Sequence, residues 1–199
     1  MKIYFVRHGK TQWNLERRLQ GQTGDSPLLE ESYQAVQQVQ KILADTVKFD
    51  KVISSPQKRA VTTAELLTKL PVIKDDRLAE WNFGQLEGCL ITDAVAQYPQ
   101  EMAASRHHLE KFNGQPFGAE DVDSVLSRFD SLAADLLSSE AENVLLVGHG
   151  ASGTAGIRHL VGYPVQDLRT AGGLNNNSLS ILESKGNHFQ MKLWNQNYE

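Results

Sequence analysis

Apolar and polar positions along the chain change period several times, and each change predicts an element. KIYFV, residues 2–6, reads as a strand, and the polar stretch 10–28 with Gly21, Gly24 and Pro27 reads as loop. Residues 30–47 set Val36, Val39, Ile42 and Leu43 on one helical face. KVISS, residues 51–55, predicts a short strand. The segment after it reads as a helix to about residue 70, with Ser55 as N-cap and Pro56 at the first helical position. PVIKD at 71–75 predicts another short strand. Regularity then fails, and residues 81–119 read as an inserted cap containing a helix that ends near Tyr98. The clearest helix spans about 120–139, where Val122, Val125, Leu126, Phe129, Leu132, Ala133 and Leu136 recur at helical spacing. A strand at 143–147, a helix at about 151–161 and two late strands, SLSILE and FQMKLW, complete the pattern.

Alternating strands and helices predict one α/β domain over residues 1–199, with the cap as an insertion. Composition narrows the function classes. The chain has 199 residues, 40% hydrophobic and 22% charged, with a net charge of −4. Its pI is about 5.9. An acidic body of this kind argues against nucleic-acid or anionic-membrane binding, so any anion site must come from a few converging cations. Cys89 is the sole cysteine, which leaves no intramolecular disulfide and no cysteine zinc cluster. MKIYF enters a strand without a leader pattern, and no apolar run reaches membrane-spanning length, so a cytoplasmic protein is expected.

The candidate chemistry sits where strands end. In open α/β sheets ligands bind beyond the carboxyl ends of the strands. The strands ending at Val6 and Val147 each run into a histidine, His8 and His149, and the first also supplies Arg7. Arg59, early in the helix after KVISS, can return to the same crevice. A single histidine after a strand is more often structural, but two in matching positions beside two arginines suit a phosphoryl dianion. Six histidines raise the question of a metal, yet none is paired with carboxylates at ligand-like spacing, so no metal is expected. A rival reading comes from GHGASG, 148–153, which fits G-x-G-x-x-G after a strand, with Asp167 downstream as a ribose-binding acid. That would make a dinucleotide-binding oxidoreductase domain. Against it, the match falls in the last major strand-helix unit, and Asp167 is not preceded by an apolar strand.

RHGKTQWN, SSPQKRAVTTA, EWNFGQLEG and VGHG resemble the four signature blocks of the histidine phosphatase superfamily, the phosphoglycerate-mutase-like proteins. They occur in family order between residues 4 and 150. The resemblance implies a three-layer α/β/α fold whose mostly parallel central sheet carries a late antiparallel edge strand. It implies His8 as a nucleophile that becomes phosphohistidine. Arg7, Arg59 and His149 would hold phosphate oxygens with help from Asn14, and Glu80 would serve as general acid and then base. Gln20, Gly21 and the Gly150 amide are further implied substrate contacts.

No cofactor is implied, and the expected partner is a small phosphomonoester. Asp75, Asp76 and Glu87 are carboxylates near Glu80 that compete for its role. Arg106, His107, His108 and Lys111 in the cap are candidates for lining the entrance, and Trp81, Phe83, Phe112 and Phe117 for meeting the leaving group. The short chain and sparse basic residues of its cap favour a phosphatase over a cofactor-dependent phosphoglycerate mutase. Departures from the family pattern are Leu29 where threonine is common, Ser32 where glycine is frequent, and Gly24 as an added residue.

Overall fold

The computed structural model describes residues 1–198. Six strands form one sheet in the order β3-β2-β4-β1-β5-β6. These are β1 (Lys2–Arg7), β2 (Lys51–Ser54), β3 (Val72–Lys74), β4 (Asn143–Gly148), β5 (Leu179–Lys185) and β6 (His188–Gln196). The pairs β1–β4, β4–β2 and β2–β3 are parallel. β5 pairs antiparallel to β1, and β6 antiparallel to β5 forms the edge. The late hairpin thus supplies the antiparallel part of an otherwise parallel sheet.

Both central strands are buried on both faces, so their side chains divide by parity. Ile3 and Phe5 of β1 and Val144 and Leu146 of β4 point to one side, onto α6 (Val122–Leu137) and α7 (Ala151–Leu160). Val6, Leu145 and Val147 point to the other, onto α2 (Glu30–Thr46) and α3 (Lys58–Leu67) through Val36, Val39, Leu43, Ala60, Ala64 and Leu67. This is the three-layer arrangement. α6 contributes Val125, Leu126, Phe129, Leu132 and Leu136, all buried, and each such side chain is worth roughly 1.5–3 kcal/mol of burial. The cap has its own apolar cluster of Leu19, Leu86, Ala94, Met102 and Phe117, built around α4 (Ile91–Gln97) and α5 (Pro99–His107).

Three local readings change. A short helix, α1 (Gln12–Leu15), interrupts the stretch read as loop. Its cause is a capping box, with Thr11 accepting from the Asn14 amide and the Asn14 side chain accepting from the Thr11 amide. Ser55 does not cap α3. That helix starts at Lys58 behind Gln57, and the Ser55 hydroxyl is taken by His149 and Gln57. The glycines of GHGASG answer to packing rather than to a pyrophosphate. A Cβ on Gly148 or Gly153 would lie 2.7 or 2.5 Å from the Phe5 ring. No parallel strand follows α7, since the next strand is the antiparallel β5. The topology therefore excludes the dinucleotide-binding reading. Among the described residues no helix is long and apolar enough to cross a membrane.

Candidate active site

β1 and β4 run in parallel register with Arg7 opposite Gly148, so His8 and His149 leave the sheet side by side. Their ring centroids are 5.1 Å apart. The His8 amide donates to the Gly148 carbonyl at 3.0 Å, and its own carbonyl accepts from Asn176 Nδ2 at 3.0 Å. Its Nδ1 meets the Gly9 carbonyl at 2.7 Å. A carbonyl only accepts, so Nδ1 carries the proton and Nε2 of the neutral ring keeps a lone pair.

His149 is fixed through a different chain. Gln57 Nε2 donates to the Gln22 carbonyl at 3.2 Å, which turns Gln57 Oε1 toward the Ser55 hydroxyl as its acceptor. Ser55 Oγ then accepts from His149 Nε2 at 2.6 Å. Nδ1 of His149 is left buried and unpartnered. Burial pushes both imidazoles well below the usual histidine pKa, and Arg59 and Arg7 push the same way.

That depression has a stability consequence. Below about pH 6.5 the unfolded chain protonates both histidines while the folded protein resists, so stability falls with falling pH. Each contributes a slope of up to about 1.4 kcal/mol per pH unit in that window. Urea midpoints measured from pH 7.5 down to 5 are expected to drop, and a His8→Asn/His149→Asn variant to show a flatter decline. Equal slopes in the two proteins would contradict the assignment.

The cations differ in what they face. Arg7 donates from Nη1 to the Leu174 carbonyl and leaves Nε buried and unpaired. Burial pushes its pKa down to about 10, against the pull of Glu80. Arg59 is 2% exposed and turns into the loop of residues 21–25. Its Nη1 donates to the Gly24 carbonyl at 2.9 Å and to Asp25 at 3.1 Å, and its Nη2 to the Gly21 carbonyl at 2.8 Å. Only its Nε is without a partner. Arg59 is nevertheless close enough to depress both histidines.

Four carboxylates near residue 80 separate by their partners. Asp75 pairs with Arg77 at 2.7 Å. Glu87 clamps the loop, accepting from the amides of Gln22, Thr23 and Gly24 at 2.8–3.0 Å. Asp76 opens a short turn. Glu80 alone enters the site, 5% exposed, and it caps α7. Oε2 accepts from the amides of Gly150 and Ala151, both at 3.0 Å. Oε1 accepts from Trp81 at 2.8 Å and Ser152 at 2.7 Å. A carboxylate at a helix N-terminus is favoured by the N–H groups and the dipole together.

Arg7, His8, Asn14, Gln20, Glu80 and Gly150 line a cleft of about 220 Å³, together with apolar Leu19, Phe83, Ile91 and Leu174 and with Arg18, Arg106 and Arg169, whereas Arg59 and the fully buried His149 are not in its lining. Gly21 is not in the lining. Its carbonyl serves Arg59, and a Cβ there would meet the Glu87 carboxylate at 2.3 Å, so it is a packing glycine. The Gly150 amide lines the cleft but is taken by Glu80. Of the four basic cap candidates only Arg106 lines this cleft. His107 lies in an adjoining lobe, and His108 and Lys111 line a separate groove with Glu101. Phe83 is the aromatic residue in the lining; Trp81 and Phe117 are buried in the core. Among the described residues no cluster of three or more His, Cys, Asp or Glu could hold a metal ion. Sequence reading missed Arg18, Arg169 and Asn176, which carry no motif and reach the site through tertiary contacts.

Known proteins converge on the same description. The model of the histidine phosphatase superfamily (branch 1) matches residues 3–197. The chain is 33% identical over 202 residues to the probable phosphoglycerate mutase GpmB of Escherichia coli O1:K1 / APEC, covering 98% of this chain and 87% of that one. It is 29% identical over 153 residues to the uncharacterized phosphatase PhoE of Bacillus subtilis (strain 168), covering 75% and 72%. The structure of a mycobacterial glucosyl-3-phosphoglycerate phosphatase in complex with VO3 superposes with a TM-score of 0.89 at 29% identity, covering 98% of this chain and 99% of that one. With the matching sheet, the paired histidines and near full-length coverage, the chain belongs to branch 1 of the histidine phosphatase superfamily.

Proposed function

We propose that the protein hydrolyses a small phosphomonoester through a phosphohistidine on His8, without a metal. The observation that carries this reading is the state of His8: Nδ1 is pinned by the Gly9 carbonyl, Nε2 is free, and the residue lines the cleft. Phosphoryl transfer needs positioning and charge neutralisation more than covalent help from other groups. Arg7 and the unpaired Nε of Arg59 supply positive charge, and His149 Nδ1 becomes a donor to a phosphoryl oxygen when a proton enters with the dianion. His8 Nε2 attacks phosphorus as the bond to the leaving oxygen breaks, and Glu80 gives that oxygen its proton. Glu80 then takes a proton from water as the water's oxygen attacks phosphorus and the P–N bond breaks, returning His8. In the structure Glu80 is bound to α7 amides, so this role requires the side chain to turn toward the leaving group.

GpmB supports a second reading, in which the phosphoryl group passes to another organic acceptor. One experiment separates them: a phosphomonoester panel assayed in EDTA, with phosphoglycerate isomerisation followed alongside. Phosphate release that continues in EDTA and outpaces isomerisation is expected. Isomerisation faster than release would transfer the assignment to a mutase, and activity lost in EDTA and restored by a metal would end the metal-free mechanism.

A further inference from the structure

Gln57 joins the loop of residues 21–25 to the support of the second histidine. Two contacts fix which way its amide faces. Nε2 lies 3.2 Å from the Gln22 carbonyl, which only accepts, and Oε1 lies 3.4 Å from the Glu80 amide, which only donates. Oε1 is therefore the atom set against the Ser55 hydroxyl. A hydroxyl has one proton and two lone pairs. The Ser55 proton goes to Gln57 Oε1, and its lone pairs take the Gln57 amide at 3.4 Å and His149 Nε2 at 2.6 Å. Ser55 has nothing left to donate to the imidazole.

The consequence falls on His149. Its Nε2 has to carry a proton, so the neutral ring keeps a lone pair at Nδ1, which is buried without a partner. A phosphoryl oxygen also offers only lone pairs, so Nδ1 can meet one only after the ring becomes imidazolium. The surroundings resist that charge until an anion arrives. Burial holds the pKa of His149 well below its usual value, and Arg59 of α3, His8 and Arg7 at the end of β1 and Arg128 of α6 push the same way. Toward α7 stands Glu80, whose carboxylate is held by the amides of Gly150, Ala151 and Ser152. A neutral ring protonated on Nδ1 would avoid the difficulty, and the Ser55–Gln57 pair withholds it.

We infer that Gln57 is a positioning residue which, through Ser55, denies His149 the tautomer protonated on Nδ1, so that the cleft takes a phosphoryl dianion only together with a proton. The inference rests on the phosphoryl reading of the cleft and adds to it a residue outside the lining. It makes affinity fall as pH rises. Where free His149 is neutral, one proton bound with the ligand raises the dissociation constant about tenfold per pH unit.

Tungstate, a tetrahedral dianion that itself takes up no proton between about pH 7.5 and 9, is the probe. Nitrogen-15 shifts of labelled histidine rings read tautomer and charge directly, with the His149 signals assigned by their loss in His149→Asn. Free wild-type His149 is expected to be neutral with its proton on Nε2, and to carry protons on both nitrogens once tungstate binds. In Gln57→Leu the Ser55 hydroxyl is free to donate to Nε2, and in Ser55→Ala the acceptor for Nε2 is gone. Bound His149 should then be neutral and protonated on Nδ1, and the rise of the calorimetric Kd with pH should be shallower by about tenfold per pH unit. His8 is present in all three proteins, so any proton it takes cancels in the comparison. Gln57→Leu also releases the Gln22 carbonyl, whereas Ser55→Ala leaves that loop contact in place. Circular dichroism checks each variant for folding. An unchanged slope in either folded variant, or a free wild-type His149 protonated on Nδ1, overturns the inference. A wild type that binds no tungstate removes the phosphoryl reading and the inference with it. Turnover of p-nitrophenyl phosphate reads hydrolysis separately: its absence would sink the phosphatase while tautomer and slope still decide the role of Gln57.

Discussion

Replacing His8 with alanine is expected to lower kcat/KM for phosphomonoesters by roughly 10⁴-fold or more while leaving substrate binding intact. The size of the effect follows from what is removed. Without the imidazole no covalent adduct forms, and direct attack by water has no positioned nucleophile. The backbone around the position is independent of the ring: the His8 amide and carbonyl are held by Gly148 and Asn176, so the substitution empties the ring's place without releasing the strand end. The structure also says which histidine to change. Each has one nitrogen without a partner, Nε2 of His8 and Nδ1 of His149, but His8 lines the cleft while His149 is fully buried behind it. Rapid quenching of the wild-type protein should trap an acid-labile phosphoenzyme that His8→Ala lacks and His149→Ala still forms slowly. An adduct persisting in His8→Ala would assign the nucleophile elsewhere.

Much of the fold and of the cleft's lining was legible in the sequence, and what was not has a common cause. Helical and strand periodicity placed the core elements within a few residues; the helix read at about 120–139 is α6, Val122–Leu137. His8, His149 and Arg7 were readable because Arg7 ends a strand and the two histidines directly follow strands, where topology fixes their placement. Glu80 was ambiguous because four carboxylates lie within a dozen residues, and only their partners, Arg77 for Asp75 and the loop amides for Glu87, tell them apart. Arg59 shows the limit differently. It lies early in the expected helix, but that helix starts at Lys58 rather than Pro56, and its guanidinium is mostly spent on the loop containing the extra Gly24. Arg169 gave no signal at all. It sits in an irregular turn and meets Ser105 across 64 positions of chain, a contact no local pattern encodes.

Glu80→Gln is expected to slow hydrolysis of alkyl phosphates by about 10²–10⁴-fold and of activated aryl phosphates much less. An alkoxide leaves poorly without a proton, whereas a nitrophenolate leaves well alone, so loss of a proton donor shows as a difference between the two. The structure makes that difference necessary as a readout, because Glu80 also caps α7. Glutamine keeps one acceptor oxygen but would aim its NH₂ at amides that now donate to the carboxylate, the pair from Gly150 and Ala151 or the pair from Trp81 and Ser152. The helix N-terminus would also lose its anion, a change typically worth about 0.3–1 kcal/mol and more when partly buried. A misplaced α7 or a smaller folded fraction lowers both rates in proportion. The ratio of alkyl to aryl turnover cancels that common loss and isolates the proton. A fall in the ratio of at least tenfold supports Glu80 as the acid. An unchanged ratio with both rates reduced would leave it as the cap of the helix behind the cleft, and the leaving oxygen would need its proton from another group.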